Sequence, residues 1–180
     1  MKTTTGTYLL LAMLHFPLLS PAQEIKADTI WNPLRPLVGH WRGEGDGADG
    51  KGTYEKNYQF VLNGKFIEVR NKTDYQPSKE NPKGYHHEDV GYISYDKARK
   101  TFVFRQFHGE GFVNQYVLQN TSNDRRTLVF ESEAIENIPS GWRARETYSI
   151  EQGVLKEEFN LAEPGKDYAP YTTAVLRKVK

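Results

Sequence analysis

Few side chains in this sequence are of types that do chemistry, and their spacing decides what each can do. Two of the five histidines sit together in His86-His87-Glu88-Asp89, a run of metal-friendly side chains. Neighbours on an extended strand point to opposite faces, so His86 and His87 cannot share one ion. The run reads as a solvated strand entry, and no metal site is assigned. His108 precedes Gly109-Glu110-Gly111 and reads as the end of a strand. It is either an acid–base group lining a cavity mouth or an exposed turn residue. His40 alternates away from Trp41 and reads as outward. Glu131 and Glu133 share a strand face, whereas adjacent Glu157 and Glu158 are split across two. Acids strung along strands mark a wet exterior more than a hydrolytic dyad. Arg70, Arg105 and Arg145 lie within strands, where an inward guanidinium would grip a ligand carboxylate and an outward one is ordinary surface. None of Ser78, Ser94, Ser122, Ser132, Ser140 and Ser149 sits in a Gly-x-Ser-x-Gly setting. The absence of cysteine removes disulfides, thiolate nucleophiles and thiolate metal centres. No catalytic residue is assigned, which favours a binding module over an enzyme.

The elements that would position these groups are short strands. After residue 22 no stretch keeps helical periodicity, while alternation and turn signals recur. Strands are expected at Leu37–Glu44, Gly52–Leu62, Lys65–Asp74, Glu88–Tyr95, Thr101–His108, Phe112–Gln119, Arg126–Glu136, Trp142–Ile150, Val154–Ala162 and Tyr171–Val179. The run Gly45-Asp46-Gly47-Ala48-Asp49-Gly50 breaks the first. Asn63-Gly64 predicts a tight hairpin, because both central residues of a type I′ turn need φ > 0. Asn120–Asp124 is a further turn, and Tyr75–Gly84, with Pro77 and Pro82, is the one long loop. The fold class is therefore all-β: about ten antiparallel strands in an up-and-down barrel, a β-sandwich being the competitor. Closure removes exposed edges, and a barrel of more than about eight strands is too wide for its own side chains to fill.

The chain has 180 residues, 24 Lys+Arg against 23 Asp+Glu, and 11 Tyr, 9 Phe and 3 Trp. That balance argues against a nucleic-acid groove. Residues 1–22, with Lys2, an apolar run from Tyr8 to Leu19 and Ser20-Pro21-Ala22, read as a secretory signal peptide too short to span a bilayer. Residues 23–180 then form a single domain of an exported protein, periplasmic or secreted, with no transmembrane segment. A mean hydropathy of −0.72 beside so many aromatic residues suits a wet outer face and an aromatic inner one.

The most specific motif is Gly39-His40-Trp41, following Pro33-Leu34-Arg35-Pro36-Leu37. Gly39 would let the backbone pass close under a barrel whose closed end is plugged by Trp41. Arg177, in a last strand that pairs with the first, could stack on that ring. A Gly-x-Trp with a late Arg resembles the calycin superfamily of lipocalins and fatty-acid-binding proteins. The fuller run Pro33–Gly47, with Ala174-Val175-Leu176-Arg177-Lys178-Val179, is similar to nitrobindin-type haem-binding barrels. The resemblance implies a short N-terminal turn or 3-10 segment closing one end. It also implies haem held by a His early in the last strand, with isomerase or nitric-oxide chemistry at the iron. This chain has Pro170-Tyr171-Thr172 there and no His after His108. Tyr171 is then either a substitute haem ligand or a residue that packs at the mouth.

From the residues alone no cofactor is expected, and haem enters only through the resemblance. Phe102, Phe104, Gln106 and His108 share a face that grades from apolar to polar, as a cavity for an amphipathic molecule requires. With them, Tyr58, Phe60, Tyr116, Tyr148 and Tyr171 are the expected ligand-binding residues, and Gly39, Trp41 and Arg177 the barrel-closing ones. The readings are an exported barrel for a small hydrophobic or amphipathic molecule, a haem protein, or a filled barrel acting through its outer surface.

Overall fold

A computed structural model describes residues 29–79, 82–119 and 127–179. The expected signal segment, residues 1–22, and the expected Asn120–Asp124 turn lie outside the described residues. Ten strands, β1 (Gly39–Gly47), β2 (Gly52–Val61), β3 (Phe66–Tyr75), β4 (Tyr85–Asp96), β5 (Thr101–His108), β6 (Val113–Leu118), β7 (Thr127–Glu136), β8 (Arg143–Glu151), β9 (Val154–Ala162) and β10 (Ala169–Lys178), follow two 3-10 turns, Thr29–Trp31 and Arg35–Leu37. Every strand pairs antiparallel with its chain neighbours, and β1 pairs with β10 to close the barrel. Closure excludes the sandwich. Among the described residues no helix is long and apolar enough to cross a membrane.

The 3-10 turns cap the lower end. Trp31 packs edge-on against Phe60 at 5.5 Å and in a tilted arrangement against Phe102 at 5.0 Å, while Leu34 and Leu37 are fully buried. The Trp41 indole donates to the Leu37 carbonyl at 2.6 Å, fixing the plug to the cap. Above it the inward faces of the strands supply Tyr58, Ile67, Ile93, Phe104, Tyr116, Phe130, Tyr148 and Leu155, all essentially buried. Alternation drives this arrangement. Along β5, Phe102, Phe104 and Gln106 point in and Arg105 and Phe107 point out.

Three local expectations are corrected. The glycine run does not end β1, which continues to Gly47 because its inward positions need glycine. A Cβ on Gly43 would overlap the Val175 carbonyl of β10 and lie 2.7 Å from the Leu176 Cα, and one on Gly45 would lie 2.6 Å from the Tyr54 ring. The β2–β3 turn begins one residue early. Leu62, Asn63 and Gly64 all have positive φ, and Gly64 N donates to Val61 O at 3.1 Å. Arg177 does not stack on Trp41. The register pairs Trp41 with Lys178 and Arg42 with Arg177, so Arg177 projects to solvent while the Lys178 ammonium lies 5.1 Å from the indole centroid. Gly39 sits against the Lys178 stem at φ +130°, a left-handed conformation that disfavours any residue but glycine.

Replacing Gly43 by Ala is expected to cost about 2 kcal/mol or more, because the new methyl must push β1 from β10. Urea unfolding followed by circular dichroism measures it.

Candidate functional site

The upper half of the barrel is hollow. Its cavity has a volume of about 750 Å³ and opens between the turns that follow β1, β3, β5, β7 and β9, within the usual range for small-molecule sites. Its floor is where each inward face changes from apolar to polar. Going up the strands, Tyr58 gives way to Lys56, Val69 to Asn71, Phe104 to Gln106, Tyr116 to Asn114, Tyr148 to Glu146 and Leu155 to Glu157. All six polar residues are buried and line the cavity.

Charge on this floor is paired. Lys56 Nζ lies 2.7 Å from Glu157 Oε1 and 2.6 Å from Oε2. Burial opposes the Lys56 charge, but Glu157, Tyr58, Glu146 and Asp89 outweigh it, and the ammonium is held above its ordinary range. Tyr148 donates to Glu146 Oε2 at 2.6 Å. Burial, reinforced by the neighbouring Glu157, pushes Glu146 up to about 8, so at neutral pH it is a neutral acid. Asp89 stays ionised. Its burial works the other way, but bonding to His87, the charge of Lys56 and the proximity of His108 hold it below the usual carboxylate range.

The histidines occupy the wall above. β4 and β5 pair Asp89 directly with His108, and His87 shares the face of Asp89 two residues earlier. His87 Nε2 lies 3.4 Å from Asp89 Oδ2, and its Nδ1 lies 2.8 Å from Glu110 Oε1. Asn71 donates to Asp89 Oδ1 at 2.8 Å. His108 stacks on Phe112 at 4.0 Å, with its Nε2 3.1 Å from the Asn114 amide nitrogen and its buried Nδ1 without a partner. Burial pushes His108 down to about 4 despite the opposing pull of Asp89, so the imidazole is neutral at physiological pH. His86 faces outward and binds Asp74 at 2.7 Å.

The opposite wall is apolar, formed by Ile135, Ile138, Trp142, Phe159 and Leu161. Tyr171 stands between the two walls, where a bulge between Pro170 and Thr172 turns both Tyr171 and Thr172 into the mouth. Its hydroxyl donates to Asp49 Oδ2 at 3.1 Å, and burial together with that carboxylate pushes it up to about 12. Without a metal, a phenol so held keeps its proton, and its hydrogen bond is spent on Asp49.

Of the residues expected at the site, Gln106, His108 and Tyr171 line the cavity. Tyr58, Phe102, Phe104, Tyr116 and Tyr148 do not; they form the packed base beneath it, and Phe60 packs at the lower cap against Trp31. Their faces point inward, but at the filled end. His87 is not a solvated strand entry, and Glu157 is not exterior, since it crosses the interior to Lys56. Asp89 was expected only within the solvated run His86–Asp89, and Lys56 and Glu146 were not expected at the site, although strict alternation from Tyr58 and Tyr148 places Lys56 and Glu146 inward. Arg70, Arg105 and Arg145 bind Glu68, Gln115 and Glu131 on the outer face.

A closed ten-stranded up-and-down barrel with a capped base and a hollow mouth is calycin-like architecture. The model of the "THAP4-like, heme-binding beta-barrel domain" matches residues 31–178, and the chain belongs to that family. The crystal structure of Rv2717c from M. tuberculosis superposes with a TM-score of 0.60 at 17% identity, covering 84% of this chain and 98% of that one. That likeness shows the fold. A designed fluorescence-activating β-barrel aligns over 81% of this chain and 95% of its own at 14% identity, with a TM-score of only 0.37. No curated protein matches.

Because Glu146 holds its proton to about 8 in the fold and loses it near 4.5 when exposed, its contribution to stability is full below pH 4.5 and is lost as pH rises through 8. Across that window the slope attributable to this one proton is at most about 1.4 kcal/mol per pH unit. Glu146→Gln is expected to flatten the decline, as read from urea unfolding at a series of pH values.

Proposed function

We propose that the protein binds haem at the barrel mouth, with His108 in place of the missing late histidine as the ligand to iron. Membership of the haem-binding family supports the cofactor. The observation that carries the ligand assignment is a neutral, cavity-lining imidazole whose buried Nδ1 has no hydrogen-bond partner. The residues fit such a group in kind. Ile135, Ile138, Trp142, Phe159 and Leu161 offer an apolar wall for a macrocycle, and His108 and His87 offer nitrogen on the other side. Haem would supply iron for small-gas or redox chemistry. The chain's own residues orient the His108 ring through Asn114 and Phe112, keep Glu146 as a neutral proton donor in the floor, and exclude bulk water below Lys56.

A second reading is an amphipathic organic ligand without iron. It is favoured by Asn71 Oδ1 and Gln106 Oε1, buried acceptors without partners in the floor, which a ligand carrying hydroxyl or amine donors would satisfy.

Titration of the purified protein with haemin is expected to give a shifted Soret band saturating at one haem per chain. His108→Ala should weaken binding at least about tenfold and Tyr171→Phe should leave it unchanged. A missing Soret shift overturns the haem reading, and loss of binding in Tyr171→Phe alone overturns the ligand assignment. Native mass spectrometry showing a retained organic molecule and no haem favours the second reading.

The proposal includes export through the 1–22 leader. Edman sequencing of protein recovered outside the cytoplasm should then begin at Gln23; a start at Met1 overturns this part.

A further inference from the structure

We propose that His87, Asp89 and His108 form a binding site for one divalent transition-metal ion, of the zinc or ferrous class, with an open coordination position facing the cavity. The inference goes beyond haem binding and does not rest on it. One ligand atom from each of the three residues lies within 4.8 Å of the other two. Tetrahedral ligands about 2.1 Å from an ion are about 3.4 Å from one another. His87 Nε2 and Asp89 Oδ2 already stand 3.4 Å apart, and a His108 ring nitrogen within 4.8 Å of both has to close to that spacing to complete the set.

The outer contacts of the three residues match those of metal ligands. A ligating histidine hands its second ring nitrogen to a carboxylate or amide, and a ligating carboxylate is held by its other oxygen. His87 Nδ1 is taken by Glu110 at 2.8 Å, and Asp89 Oδ1 accepts from Asn71 at 2.8 Å. His108 Nε2 faces the amide of Asn114, whose Oδ1 is buried without a partner. A half-turn of that amide lets Oδ1 accept from both His108 Nε2–H and the Tyr116 hydroxyl, leaving the lone pair of His108 Nδ1 toward the ion. The three inner atoms are then free to converge, and each outer atom has a partner.

The donor set is two imidazoles and one carboxylate, which suits zinc or ferrous iron and leaves at least one position for water or a ligand oxygen. It also separates this site from haem. A porphyrin iron accepts one protein atom on each face, whereas these donors converge from one wall of the barrel. Haem on His108 and a bare ion on the trio exclude one another. Topology supplies the precision: Asp89 and His108 are cross-strand partners on β4 and β5, and His87 is two residues from Asp89 on the same face.

The test uses haem-free, chelator-stripped protein and Co²⁺ as the probe, with Zn²⁺ competition by calorimetry. One ion per chain is expected, with visible d–d bands and an affinity tighter than about 100 μM. His87→Ala, Asp89→Asn and His108→Ala should each weaken binding about 100-fold, and Glu110→Gln about tenfold. His86→Ala should leave affinity unchanged, since that ring points outward. Circular dichroism establishes that each variant is folded, and zinc should raise the Tm of the parent but not of His108→Ala. Absence of one-to-one binding in the parent overturns the proposal. So does a His86→Ala loss as large as that of His87→Ala. A Co²⁺ spectrum without any haemin Soret shift sinks the haem reading alone, and the reverse result sinks this one alone.

Discussion

The β1–β10 seam sets the terms for everything above it. Ten strands close only because β1 brings glycine to its inward positions at 43, 45 and 47, where a Cβ would strike the backbone of β10. The bare stretch has a second effect. β2 and β9 are separated by β1 and β10, yet Lys56 and Glu157 meet across them, passing over a wall whose inward side chains at Gly45 and Ala174 are absent or small. Closure and the buried ion pair thus share one cause. Burying such a pair carries a large desolvation penalty, and removing either partner would leave an uncompensated charge worth about 3–5 kcal/mol.

The interior divides at one level around the whole barrel. Below it, aromatic and aliphatic side chains fill the space down to Trp31 and Trp41, and cohesion comes from apolar burial. Above it, the floor and the β4–β5 wall are polar, held by hydrogen bonds and paired charge, and face an apolar wall of Ile135, Ile138, Trp142, Phe159 and Leu161. The division places the chemistry against a rigid base rather than on loops. It also explains the opposed protonation states: Glu146 is neutral beside Glu157, whereas Asp89, next to two histidines and Lys56, is charged.

Most of the architecture was legible in the sequence because it rests on period-2 alternation and turn chemistry. Thr101–His108 and Val154–Ala162 were read at their observed bounds, and the gradient from Phe102 to Gln106 is real. What alternation cannot supply is register and height. It shows that Tyr58 and Tyr148 point inward, but not that they sit beneath the cavity floor. Only the pairing of β1 with β10 distinguishes Arg177 from Lys178 as the cation over Trp41. The trio His87, Asp89 and His108 was hidden for the same reason, since His87 and Asp89 reach His108 only through the β4–β5 ladder. Lys56 and Glu157 are 101 positions apart, and no local pattern connects them.

The three tryptophans are distributed so that the molecule carries its own optical gauge. Trp31 and Trp41 lie in the sealed base, essentially without solvent contact, while Trp142 stands in the mouth against the cavity. Emission from the base reports the integrity of the packed barrel, and emission from the mouth responds to whatever enters it. A chromophore or a polar occupant near Trp142 therefore alters one component of the fluorescence while the blue-shifted component from the base stays as an internal reference. Occupancy and unfolding become separable in a single spectrum, without any attached label.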